Sequence, residues 1–98
     1  ALLGIGEDGH TASLFPDNLA RDRVSNDLTI AVEDSPKPPA ERVSLSYHTL
    51  KKTSIICFLA SGECKREILK EWQNNQALPF NHIHGSEKTV LITDIQPA

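Results

Sequence analysis

Hydrophobic and polar residues alternate along this chain in a way that predicts more strands than helices. Leu28-Thr29-Ile30-Ala31-Val32 is rich in β-branched residues and predicts a strand. Val43-Ser44-Leu45-Ser46-Tyr47 alternates apolar and polar with period two, as a half-buried strand does. Ser54-Ile55-Ile56-Cys57-Phe58-Leu59-Ala60 is a continuous apolar run, the pattern of a parallel strand covered on both faces. Thr89 to Asp94 predicts the last strand, and Ala1-Leu2-Leu3 reads as a strand already under way, which suggests a piece of a longer chain. Helical spacing occurs from Glu63 to Gln73, where Cys64, Ile68, Leu69 and Trp72 share one face, Ser61 is the expected N-cap and Asn74-Asn75 the end. Thr11 to Phe15 predicts a short helical piece that Pro16 stops, with a start whose free N–H groups favour an anion.

Strands alternating with helical segments imply βαβ units, right-handed crossovers and a mostly parallel sheet with helices on its faces. Ligands of such sheets sit beyond the carboxyl ends of the strands. Two loops follow strands and are expected at that edge. One is Gly4-Ile5-Gly6-Glu7-Asp8-Gly9-His10. The other, Asp34 to Arg42, has three prolines in four positions and is therefore stiff and extended.

The length of 98 residues fits one domain, taken as residues 1–98. An apolar share of 39% against 23% charged residues places the chain among soluble globular proteins and not among disordered ones. Ten basic and 13 acidic residues, a net charge of −3, argue against general binding to nucleic acid or an anionic membrane surface. An anionic ligand would need local basic contacts. No apolar run is long enough to span a bilayer. Cys57 and Cys64 read as two reduced core residues and not as a disulfide, which favours the cytoplasm.

The candidate chemistry starts with His10. A lone histidine on a loop is an ordinary capping or core residue, but Asp8 two positions earlier, on a glycine loop at the ligand edge, turns the reading towards catalysis. The imidazole can take a proton from water at neutral pH, and Asp8 can fix its tautomer or support the imidazolium. Glu7 is expected to face solvent. Lys37, held between prolines, and Arg42, five residues on, form a candidate phosphate clamp. Gly4-x-Gly6-x-x-Gly9 also satisfies the dinucleotide fingerprint, with Glu33-Asp34 as the ribose-binding carboxylate, but Pro16 leaves too little helix after the third glycine. His82-x-His84 lacks a third ligand of suitable spacing, so no metal site is expected. Lys51-Lys52 and Lys65-Arg66 read as solvated faces, and Trp72 as core.

Gly4 to Pro16, ending in Gly9-His10-Thr11-Ala12-Ser13-Leu14-Phe15-Pro16, resembles the signature of the 6-phosphogluconolactonase family. Ser35-Pro36-Lys37-Pro38-Pro39-x-x-Arg42-Val43-Ser44-Leu45 resembles that family's second signature, and Ser61-Gly62-Glu63-x-Lys65 and Leu78-Pro79 are similar too. The resemblance implies a Rossmann-like, three-layer α/β fold of which this chain is the C-terminal portion, so the sheet is incomplete and its open edge favours association. It implies hydrolysis of 6-phosphoglucono-1,5-lactone to 6-phosphogluconate in the oxidative pentose phosphate pathway, without a metal or redox cofactor. His10 would activate water and Asp8 would support it. The loop amides, at Gly6 and Gly9, would contact the phosphosugar lactone, and Lys37 and Arg42 would bind its phosphate. Two alternatives stay open: a sugar-phosphate isomerase or deaminase with the same loop, and an inactive fragment that binds a phosphosugar or a partner.

Overall fold

A computed structural model of the chain describes residues 1–95. Three parallel strands form its sheet: β1 (Leu2–Gly4), β4 (Ile55–Ala60) and β5 (Lys88–Thr93), in the order β1-β4-β5. Leu3 pairs with Phe58, which pairs with Leu91, and this row lies on the same face as Ile56 and Ala60. Phe58 and Ile56 are fully buried, and the core grows on this face from Ile5, Leu14, Tyr47, Leu50, Phe80 and Ile83.

The opposite face carries Leu2, Cys57 and Val90 in one row, Leu59 and Ile92 in the next, and Ile55. Leu2 is 67% exposed, Ile55 49%, Leu59 46% and Ile92 52%. The expectation that β4 is covered on both faces is therefore met on one face only, although the residues are apolar on both. Cys57 belongs to this open face and is half-buried, while Cys64 is exposed; both are free thiols, and neither is the core residue expected.

The strands β2 (Thr29–Val32) and β3 (Arg42–Leu45) do not extend the parallel sheet. They pair antiparallel with each other, Val32 opposite Arg42 and Ile30 opposite Ser44. The proline segment is thus the tip of a hairpin and not a loop at the end of a parallel strand. Period two holds along β3: Arg42 and Ser44 turn inward, Val43 and Leu45 outward.

The helices are shorter than the periodicity predicts. A 3₁₀ turn (Pro16–Asn18) leads into α1 (Leu19–Asp22), and α2 spans Tyr47–Leu50. After β4 a 3₁₀ turn (Glu63–Lys65) leads into α3 (Arg66–Leu69), which ends in turns before Gln73. Ile68 is buried and Leu69 and Trp72 pack on the core as predicted. Gly62, not Ser61, takes the N-cap, at a φ of 93° that favours glycine, and its N–H donates to Asp94 Oδ1 at 3.0 Å. Asn81, in the last 3₁₀ turn (Pro79–His82), closes the α3 segment by accepting from Gln73 N and donating to the carbonyls of Glu71 and Asn75. Trp72 stacks on Phe80 at 5.8 Å, as a core residue.

Candidate active site

The glycine loop leaves β1 at its carboxyl end and closes on itself. Gly6 N donates to His10 O at 2.8 Å and Gly9 N to Gly6 O at 2.9 Å. Both amides thus make hydrogen bonds inside the loop. What these glycines supply is space. A Cβ on Gly6 would overlap the His10 imidazole and lie 2.9 Å from Asp8 Oδ1. Gly9 has a φ of 91°, and a Cβ there would meet Leu78 at 2.6 Å.

Within this frame Asp8 and His10 form one unit. Asp8 Oδ1 accepts from the His10 backbone N–H at 3.0 Å and lies 2.5 Å from His10 Nδ1. The His10 side chain is 19% exposed and that of Asp8 36%. Burial pushes the Asp8 carboxyl up, but the His10 backbone N–H, the imidazole hydrogen bond and its charge together pull it below its ordinary value. An ionised Asp8 accepts from Nδ1–H and leaves Nε2 with the lone pair, the tautomer a general base needs. Glu7 is exposed, as expected.

Beyond His10 the predicted helix is absent. Thr11 and Leu14 pair their backbones in an isolated bridge, Thr11 Oγ1 donates to Gly4 O at 2.7 Å, and Ala12 has a φ of 50°. A tight turn satisfies these groups locally, so there is no helix N-terminus here to attract an anion, and the helix a dinucleotide fingerprint requires is missing as well. Asp34, the ribose-binding candidate with Glu33, accepts from Asn18 Nδ2 at 3.2 Å. The turn delivers Phe15 against His10, with ring centroids 4.8 Å apart and planes tilted by 33°.

The hairpin reaches this place through its inward residues. Ser13 N donates to Ser44 Oγ at 3.1 Å, and the Arg42 guanidinium lies 5.5 Å from the centre of the Phe15 ring. Arg42 Nε donates to Pro39 O, and Nη2 to the carbonyls of Lys37 and Pro38. The free bidentate fork expected of Arg42 is thereby reduced to Nη1. The Lys37 ammonium is exposed and makes no ion pair among the described residues. An open depression of about 350 Å³ beside the hairpin is lined by Glu33, Glu41 and Arg42 with Ala31, Val32 and Val43. Its two carboxylates oppose an anion, and it does not include His10.

Lys65, expected on a solvated face with Arg66, turns instead towards the glycine loop. It is half-buried and its Nζ donates to Ile5 O at 2.5 Å, which brings a cation from the turn after β4 to the glycine loop. Only the adjacency of β1 and β4 could reveal this. Arg66 instead pairs with Glu63 on the surface. His82 and His84 each contact a backbone carbonyl, of Gln76 and Asn81, through Nε2.

The description "Glucosamine-6-phosphate isomerases/6-phosphogluconolactonase" names the family whose model matches residues 1–92. The chain belongs to this family. It is 43% identical over 82 residues to the human 6-phosphogluconolactonase and 44% identical over 101 aligned positions to 6-phosphogluconolactonase 3 of Saccharomyces cerevisiae. These matches cover 80% and 95% of the chain, but only 31% and 40% of those proteins. The crystal structure of a 6-phosphogluconolactonase from Thermotoga maritima superposes with a TM-score of 0.84 at 33% identity, over 95% of this chain and 41% of that one. The parallel sheet, the glycine loop and the hairpin thus form the α/β arrangement of this family. The chain spans about a third to two-fifths of the length of these relatives. Among the described residues no helix is long and apolar enough to cross a membrane.

Proposed function

We propose that this chain carries the general base and part of the phosphate site of a 6-phosphogluconolactonase, which hydrolyses 6-phospho-D-glucono-1,5-lactone to 6-phospho-D-gluconate in the pentose phosphate pathway. The observation that carries the reading is the Asp8–His10 pair, held at 2.5 Å on a loop at the carboxyl end of a parallel strand. His10 Nε2 takes a proton from water as the water oxygen attacks the lactone carbonyl. The tetrahedral oxyanion collapses, the bond to the ring oxygen breaks, and the imidazolium returns its proton to that leaving oxygen. Asp8 stabilises the imidazolium between these steps. A lactone is already an activated ester, so a base and a well-placed phosphate supply much of what the reaction needs.

Lys37 and Nη1 of Arg42 bind the phosphate in this proposal, and Lys65 adds positive charge at the same sheet edge. Gly6 and Gly9 contribute by shaping the loop. No cofactor or metal takes part, and the expected compartment is the cytoplasm, where Cys57 and Cys64 stay reduced. His10→Ala in the protein carrying this sequence lowers lactonase turnover about a hundredfold or more, as loss of a general base does. Near-normal turnover refutes the assignment. Ammonia released from glucosamine 6-phosphate, with no lactone hydrolysis, places the chain with the isomerases and deaminases instead.

A further inference from the structure

We propose that Phe15 is the positioning residue for His10, and that through Arg42 it ties the orientation of the imidazole to the proline hairpin. The inference rests on the reading of His10 as the base. Asp8 holds the imidazole side chain at one atom, Nδ1. A single hydrogen bond fixes a point and a direction but leaves the ring free to turn about that line. Two contacts restrict this turning. Gly6 bounds the imidazole so closely that a Cβ would overlap it, and the Phe15 ring packs on it at 4.8 Å. Phe15 is itself fixed, being 1% exposed between the fully buried Leu14 and the ring of Pro16.

Arg42 makes this more than local packing. Its guanidinium faces the Phe15 ring at 5.5 Å while its Nε and Nη2 hydrogens bind three successive carbonyls, those of Lys37, Pro38 and Pro39. The same guanidinium therefore fixes the backbone that presents Lys37 and the aromatic wall that orients His10. An aliphatic side chain could fill the volume of Phe15 but would offer neither a flat surface to the imidazole nor a π-face to the guanidinium. The loop that presents Lys37 and the base are in this way parts of one assembly, Arg42–Phe15–His10–Asp8.

The test is steady-state kinetics with NMR of the His10 ring protons, in the protein carrying this sequence. Phe15→Leu is expected to lower kcat about ten- to a hundredfold, the scale of a misplaced catalytic group, while KM stays within about twofold. The native protein should show a ring-current displacement of the His10 ring protons, and it should disappear in the same variant. Arg42→Gln also removes a phosphate donor and so weakens substrate binding in either background. The coupling is read instead in the His10 ring-proton resonances, which Arg42→Gln should shift in the native background and much less in the Phe15→Leu background, because coupled residues are not additive. Unchanged kcat in Phe15→Leu, additive effects of the two substitutions on the His10 resonances, or unchanged His10 resonances in Phe15→Leu each overturn the proposal. If Phe15→Leu does not fold, Phe15→Met, of similar volume and without a ring, takes its place. A native spectrum without ring-current displacement at His10 refutes the contact with no variant at all. Normal turnover in His10→Ala refutes the base; low turnover in His10→Ala with normal turnover in Phe15→Leu refutes only the positioning role.

Discussion

Asp8 and Tyr47 show two outcomes of burying an acid. Burial raises both, but Asp8 has the His10 backbone N–H and imidazole against it and ends below its ordinary value, so it stays ionised. Tyr47 is 1% exposed; burial pushes its phenol well above the ordinary value, and the charge of Asp22 adds to the shift. A folded-state value raised above the unfolded value of 10.0 means that the phenol contributes stability in full below that pH and loses it as pH rises towards the folded value. Tyr47 is the only tyrosine, so phenolate absorbance reports it alone. It should ionise only together with loss of secondary structure; a phenolate signal near pH 10 in the folded protein contradicts this burial. The Asp8–His10 pair was legible because its members are two positions apart. The role of Lys65 was not, because its partner Ile5 lies 60 positions away in the sequence.

The helical elements are too short to be stable by themselves, since α1, α2 and α3 have four residues each and an isolated helix needs about 12 to 15. Caps and packing hold them. Ser46 is the clearest cap: its Oγ accepts from Thr49 N at 3.1 Å and donates to Asp27 O at 2.6 Å, joining α2 to the segment before β2. Ser46→Ala should cost about 1–2 kcal/mol, read as a lower denaturant midpoint at unchanged slope. A loss of less than about 0.3 kcal/mol would mean that the cap contributes nothing. Strands were readable to within two residues or so because Leu28–Val32 and Ser54–Ala60 carry β-branched and apolar runs. Helices were less readable for a physical reason. Between Thr11 and Phe15 a local turn competes for the same backbone groups, and after Ser61 a glycine with positive φ displaces the side-chain cap that the sequence suggests.

At the scale of the molecule, the parallel sheet has one covered and one open face, both apolar. Parallel sheets are ordinarily buried on both sides, and more than half of the Thermotoga maritima structure has no counterpart in this chain. The 98-residue polypeptide by itself should bind an apolar fluorescent dye and self-associate in sedimentation, and Leu59→Lys with Ile92→Lys should reduce both. A monodisperse polypeptide that binds no dye would show that this face is covered in solution. The sequence by itself determined the periodicity of the strands, the stiffness of the proline segment and the proximity of Asp8 to His10, because these depend on neighbours in the chain. Tertiary structure decided which face of β4 is covered, that the prolines form the tip of an antiparallel hairpin, and that Phe15 lies against both His10 and Arg42. It also decided that the Gly6 and Gly9 amides close their own loop and that Lys65 meets Ile5. These outcomes depend on which strands become neighbours and on which donors are already occupied. Such pairings join residues distant in sequence, and local pattern does not encode them.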